Sequence, residues 1–143
     1  MNRKRLPRFV PVALAAAMLI IAGCGRGAGR LPIEGAVTVD GQPLEAGYIV
    51  FFPEGPGGGP SAGAEVVDGR YRIGAAGGAF AGTFRVEITA SRKTDALVYD
   101  EFSGQQVAEY RQFLPARYNT QTELRAEVTP GGPNRFDFEL NLP

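Results

Sequence analysis

The residue pattern predicts an all-β fold: seven short strands packed as a two-sheet sandwich. Three observations predict it. Apolar residues alternate with polar ones over short runs, which is the period of a strand with one buried face. Asp-Gly pairs, a strong two-residue hairpin signal, stand between some of those runs. The chain holds 20 glycines and 11 prolines in 143 residues, so the segments between runs read as turns rather than helices.

Taken in order, Ile33, Gly35, Val37 and Val39 alternate with Glu34, Ala36 and Thr38, and Asp40-Gly41 turns the chain. Gly47 to Phe52 is continuously apolar and stops at Pro53, the pattern of a central strand covered on both faces. Pro53 to Pro60 carries four glycines and three prolines and is a loop. Ala62 to Val67 is a strand that Asp68-Gly69 turns into Tyr71-Arg72-Ile73. After a glycine-rich loop from Gly74 to Gly82, Phe84, Val86, Ile88 and Ala90 alternate with polar partners in the cleanest strand of the chain.

Residues 92–120 break the alternation. Val107, Tyr110 and Leu114 fit one or two helical turns, ended by Pro115, so this stretch is expected to be a long excursion with one short helix. Leu124, Ala126 and Val128 then alternate with charged residues. Beyond Gly131-Gly132-Pro133, so do Phe136, Phe138, Leu140 and Leu142. These last two runs are expected to pair antiparallel, and seven one-sided strands bury their apolar faces most simply as two stacked sheets.

The first residues follow different rules. Arg3, Lys4, Arg5 and Arg8 precede an apolar run from Phe9 to Ala22, too short to span a bilayer and matched to the core of an export signal. The run ends at Ile21-Ala22-Gly23-Cys24, which resembles a lipobox, and Cys24 is the single cysteine. This divides the chain into a lipoprotein signal peptide (1–23), a lipidated cysteine with a glycine-rich flexible tether (24–31), and a β domain (32–143). Acyl chains on Cys24 would hold the protein on a lipid membrane with no spanning helix, since two or more chains give a stable anchor. The expected location is the cell membrane or outer membrane, facing periplasm or exterior. Gly25, rather than Asp, follows the cysteine, which by resemblance to lipoprotein sorting favours the outer membrane.

The order Gly35-Ala36-Val37-Thr38-Val39-Asp40-Gly41-Gln42-Pro43-Leu44, then Gly47 to Pro53, Asp68-Gly69-Arg70-Tyr71 and Gly82-Thr83-Phe84-Arg85-Val86, resembles the carboxypeptidase regulatory-like domains. The segments Leu114-Pro115-Ala116-Arg117-Tyr118-Asn119 and Asn134 to Leu140 resemble small lipoproteins abundant in planctomycete bacteria. This resemblance, over residues 33–142, implies a transthyretin-like (prealbumin-like) sandwich serving as an accessory module that stabilises, spaces or binds.

Chemistry is sparse. With no histidine, Ser-His-Asp and Cys-His sites are excluded. Ser91 and Lys93 could share a strand face as a dyad, but nothing supplies an oxyanion hole. Asp95, Asp100 and Glu101 lack calcium-loop spacing, and Asp137 with Glu139 read as the outward face of a strand rather than as hydrolytic carboxylates. The glycines between Gly55 and Gly59 precede no helix and are not a phosphate loop. Beyond the four basic residues of the leader, 11 basic and 15 acidic residues leave a balance of −4, with no footprint for nucleic acid.

Tyr99, Phe102, Tyr110, Phe113 and Tyr118 concentrate aromatic side chains in the excursion. They read either as a satellite core beneath a long loop or as a surface that stacks on sugar, peptide or a partner protein. The expectation overall is a non-catalytic, cofactor-free, monomeric lipoprotein of the cell envelope, acting as a structural or protein-interaction module. The alternatives are a carbohydrate-, peptidoglycan- or peptide-binding lipoprotein using residues 92–120 and, more remotely, a carboxylate-only hydrolase.

Overall fold

Alternation becomes strand through most of the chain in the computed structural model, which describes residues 29–56 and 59–143. The leader, Cys24 and the tether as far as residue 28 lie outside the described residues. The strands are β1 (Ile33–Val39), β2 (Gln42–Pro43), β3 (Ala46–Pro53), β4 (Ala62–Val67), β5 (Arg70–Ile73), β6 (Gly82–Thr89), β7 (Ser91–Asp100), β8 (Gln105–Gln112), β9 (Arg125–Val128) and β10 (Phe138–Leu140). Short 3-10 turns occupy Ala75–Gly77 and Ala116–Tyr118. The fold is all-β, with ten strands among the described residues where seven were expected.

Eight strands form one sheet in the order β10-β1-β5-β4-β3-β6-β9, with β2 paired to β1. Ile33 and Val37 of β1, Ile49 and Phe51 of β3, Phe84 and Val86 of β6, Val128 of β9 and Leu140 of β10 all belong to one buried cluster. A flat sheet cannot bring side chains of its two edge strands, β9 and β10, into the same core. The sheet therefore curls around them.

The two Asp-Gly turns are as expected. Asp40 and Gly41 have φ of 50° and 77°, Asp68 and Gly69 of 48° and 73°, so both central residues are left-handed. This matches the right-handed twist of the strands they join, with Val39 opposite Gln42 and Val67 opposite Arg70. Gly35 serves a different need. A Cβ there would stand 1.8 Å from the Phe136 carbonyl oxygen, so the approach of the C-terminal segment to β1 requires a residue without one.

Three expectations need correction. First, β9 and β10 do not pair with each other. Asn134 turns the chain by accepting the Thr129 N–H (2.9 Å) and donating to the Thr129 carbonyl (3.2 Å). The segment then zips onto β1, with Glu34 N–H donating to Asn134 and Phe136 N–H to Glu34, and β10 runs parallel to β1. Second, β3 is central in the sheet order but covered on one face only. Ile49 and Phe51 are fully buried, Tyr48 is 45 % exposed, and Phe52 is shielded by the Arg85 guanidinium 4.9 Å from its ring centre. Third, the helix expected around Val107 and Tyr110 is absent. That stretch is β8, paired antiparallel with β7 in a separate two-stranded sheet.

Candidate functional site: an exposed β-hairpin arm

β6 ends at Thr89, and after Ala90 the chain continues as β7. Neither β7 nor β8 hydrogen-bonds to the main sheet, and none of their residues is buried. The pair is an arm. Its foot is fixed by Gln112, whose side-chain oxygen accepts the N–H groups of Ala90 (3.0 Å) and Leu114 (3.1 Å), while Phe113 N–H donates to the Ala90 carbonyl (3.0 Å). The Arg92 guanidinium lies 3.7 Å from the Phe113 ring centre and covers it.

Below the foot, Leu114 and Tyr118 enter the main core. The Tyr118 hydroxyl donates to the Asn141 carbonyl (3.2 Å) and accepts the Asn141 N–H (2.9 Å). That N–H, with Arg117 nearby, stabilises the phenolate and holds the phenol below its ordinary pKa. Asn119 donates to the carbonyls of Leu114 (3.3 Å) and Pro115 (3.1 Å), and the Thr122 hydroxyl donates to Val86 (2.7 Å). The Leu114–Asn119 segment is thus the bracket that carries the arm.

The tip is a four-residue loop between Asp100 and Gln105. The Asp100 carboxylate accepts the Phe102 N–H (2.9 Å) and the Ser103 hydroxyl (2.9 Å), and Gly104, at φ 68°, donates its N–H to the Asp100 carbonyl (2.8 Å). These donors, the Phe102 N–H foremost, hold the carboxyl below the ordinary aspartate value. Phe102 is thereby presented at the tip with its side chain wholly in solvent.

Strand alternation sorts the rest. Leu97 opposes Ala108, Tyr99 opposes Gln106 and Lys93 opposes Tyr110, which puts Leu97, Tyr99 and Tyr110 on one face. Val98 opposes Val107 on the other, where Thr94 donates to Glu109 (2.9 Å) and Arg111 bridges it at 3.1 Å. Among the described residues, six of the eight large apolar side chains that stand exposed are on this arm: Leu97, Val98, Tyr99, Phe102, Val107 and Tyr110. Soluble domains rarely leave large apolar patches uncovered, which makes this projecting element the candidate site.

The arm leaves the domain at the end opposite Leu31. Leu31 pairs with Ala79 and Ile33 with Ile73, at the end where β1 and β6 begin. Six residues after Ile33, β1 reaches Val39, which shares an open hollow of about 470 Å³ with Leu44, Ser91 and Phe113 at the foot of the arm. At roughly 3.3 Å per strand residue, the two ends are about 20 Å apart.

The five aromatics singled out in the sequence therefore separate. Tyr99, Phe102 and Tyr110 are on the arm, Phe113 is half-buried at its foot, and Tyr118 is in the main core. The expected satellite core is replaced by an uncovered ribbon. Leu97 and Val98 were not singled out, and Val107 only for its helical spacing, because alternation on a ribbon exposed on both faces leaves no polar–apolar contrast. Ser91 and Lys93 are exposed near the foot on one face of β7. Asp137 accepts the Ala36 N–H (2.8 Å) and the Arg135 guanidinium (3.3 Å), which occupies it structurally. Among the described residues no three His, Cys, Asp or Glu side chains cluster to hold a metal ion.

No family model matches the chain, and no curated protein matches it. Among solved structures, a 9R-lipoxygenase from Cyanothece is similar at 14 % identity and a TM-score of 0.38, over 81 % of this chain and 17 % of that one. The chain thus spans less than a fifth of that protein's length.

Proposed function

We propose that this chain is a lipid-anchored lipoprotein of the bacterial cell envelope, acylated at Cys24. Its β domain, a transthyretin-like sandwich in this reading, is a non-catalytic interaction module that docks through the β7–β8 arm. The observation that carries the docking role is the arm itself, an apolar ribbon joined to the domain at its foot and tipped by Phe102. The anchor is supported by the basic leader, the short apolar run and the lone cysteine at its end. The tether and the arm leave from opposite ends, so the domain acts as a spacer between lipid surface and partner. Arm residues need not help fold the domain, and their apolar character is left for recognition.

Replacing Tyr99, Phe102 and Tyr110 together by alanine tests the docking role. Binding to purified peptidoglycan or to envelope proteins, including other copies of the chain, is expected to fall while the domain still folds. Unfolding of the triple variant, or unchanged binding by a wild-type protein that does bind, would contradict the role of the arm. A second reading, recognition of glycan, is favoured by Tyr99 and Tyr110 sharing one face, where aromatic rings can stack on sugar. Loss of peptidoglycan binding alone would select it.

A further inference from the structure

β8 is an open strand edge. It pairs with β7 on one side and, among the described residues, with no strand on the other. Proteins blunt such edges with bulges, lysines or prolines. β7 carries two of these devices: Lys93, and a register shift in which the three residues 94–96 oppose Glu109 alone. β8 reads Gln-Gln-Val-Ala-Glu-Tyr-Arg-Gln, with no lysine, proline or bulge, and its charged residues, Glu109 and Arg111, are of opposite sign. A two-stranded ribbon is marginal in water, and a third strand stabilises it.

We propose that this third strand is the β8 of a second copy of the chain, paired antiparallel about a twofold axis at Tyr110. The inference rests on the arm being the docking surface and names its partner, in place of the monomer expected from the sequence. A twofold axis normal to the ribbon keeps every side chain on its own face. Alternation then requires the strand to pair about one residue, not between two. Centred on Glu109 or on Arg111, identical charges would meet. Centred on Ala108 or Val107, Glu109 would face Val107 or Gln105 and no cation. Centred on Tyr110, Glu109 faces the partner's Arg111, the contact occurs twice, and Tyr110 faces its own copy. Opposite charges and aromatic pairs directly across a ribbon are favourable, and like charges there are not. In the single copy Glu109 and Arg111 already share one face of this edge, 3.1 Å apart.

The test uses full-length chains extracted from bacterial membranes, with two affinity tags co-expressed. Wild type is expected to capture wild type. Glu109→Arg and Arg111→Glu are each expected to lose self-capture by at least about tenfold, since each sets like charges opposite one another. Co-expressed with each other, the two variants are expected to recover capture, because the charges then alternate across the joint. Each variant breaks the contact within its own strand, so recovery in the mixture reports pairing between chains. Circular dichroism of each variant confirms that the domain folds. Absence of wild-type self-capture, or a mixed pair no better than the like-charged pairs, overturns the proposal. The triple alanine variant separates the readings: envelope binding that it abolishes, but Glu109→Arg leaves intact, keeps the docking arm and removes only the second copy.

Discussion

The carboxylate of Asp100 holds the backbone of Phe102, accepting its N–H at 2.9 Å two residues on, and so fixes a fully exposed phenyl ring at the end of the arm. This is an Asx turn, in which a short side chain replaces a backbone acceptor. A ring held in place loses less conformational freedom on docking than a mobile one.

Asp100→Ala is therefore expected to loosen the tip without touching the core. Proteolytic cleavage between Asp100 and Gln105 should accelerate, while the unfolding temperature of the domain stays within the range of an ordinary surface change. Acid should act in the same way. The folded carboxyl is held below its ordinary value, so its ordering of the tip is fully present above the unfolded aspartate value and is lost as pH falls through the lowered folded one. Amide signals of Phe102 and Ser103 followed by NMR during an acid titration should report the change.

Tyr110 and Tyr118 should behave oppositely. Tyr110 is 66 % exposed on the arm, and its replacement by alanine should change stability by less than about 0.5 kcal/mol. Tyr118→Phe removes a buried hydroxyl that both donates to and accepts from Asn141, and should cost about 1–2 kcal/mol. Denaturant titration of the two variants measures the difference. Equal effects would contradict their assignment to arm and core.

Gly35 and Gly74 provide a second contrast. A Cβ at Gly35 meets the Phe136 carbonyl at 1.8 Å, so Gly35→Ala must push the C-terminal segment off β1 and should cost about 3 kcal/mol or more. At Gly74 a Cβ meets nothing within 4 Å, and φ is −68°. Gly74→Ala should be neutral or stabilise by up to about 1 kcal/mol, by restricting the unfolded chain. Thermal unfolding of both variants checks this.

Where one face of a strand is buried and the other is wet, the period of two could be read directly: β1, β5, β6 and β9 follow their alternating residues. The turns at Asp40 and Asp68 were equally plain, because their left-handed φ values favour such residues. That β10 pairs with β1 and not with β9 was not legible. It depends on Asn134 closing a turn on Thr129 and on Gly35 admitting Phe136, a contact about a hundred residues apart in sequence. The arm was located by its aromatics but misread as partly helical. Three apolar residues at helical spacing matched by coincidence, and a ribbon wet on both faces offers no alternation to weigh against them. Tyr118 was grouped with Tyr99 and Tyr110 because they are near in sequence, while the chain re-enters the core at Leu114.

The account depends most on Cys24 being the point of attachment to lipid. Mass spectrometry of the N-terminal peptide, taken from protein extracted from its native membrane, addresses this directly. The predicted result is a chain beginning at Cys24, with its sulfur carrying a diacylglycerol mass. A chain that retains residues 1–23 with an unmodified thiol would contradict it.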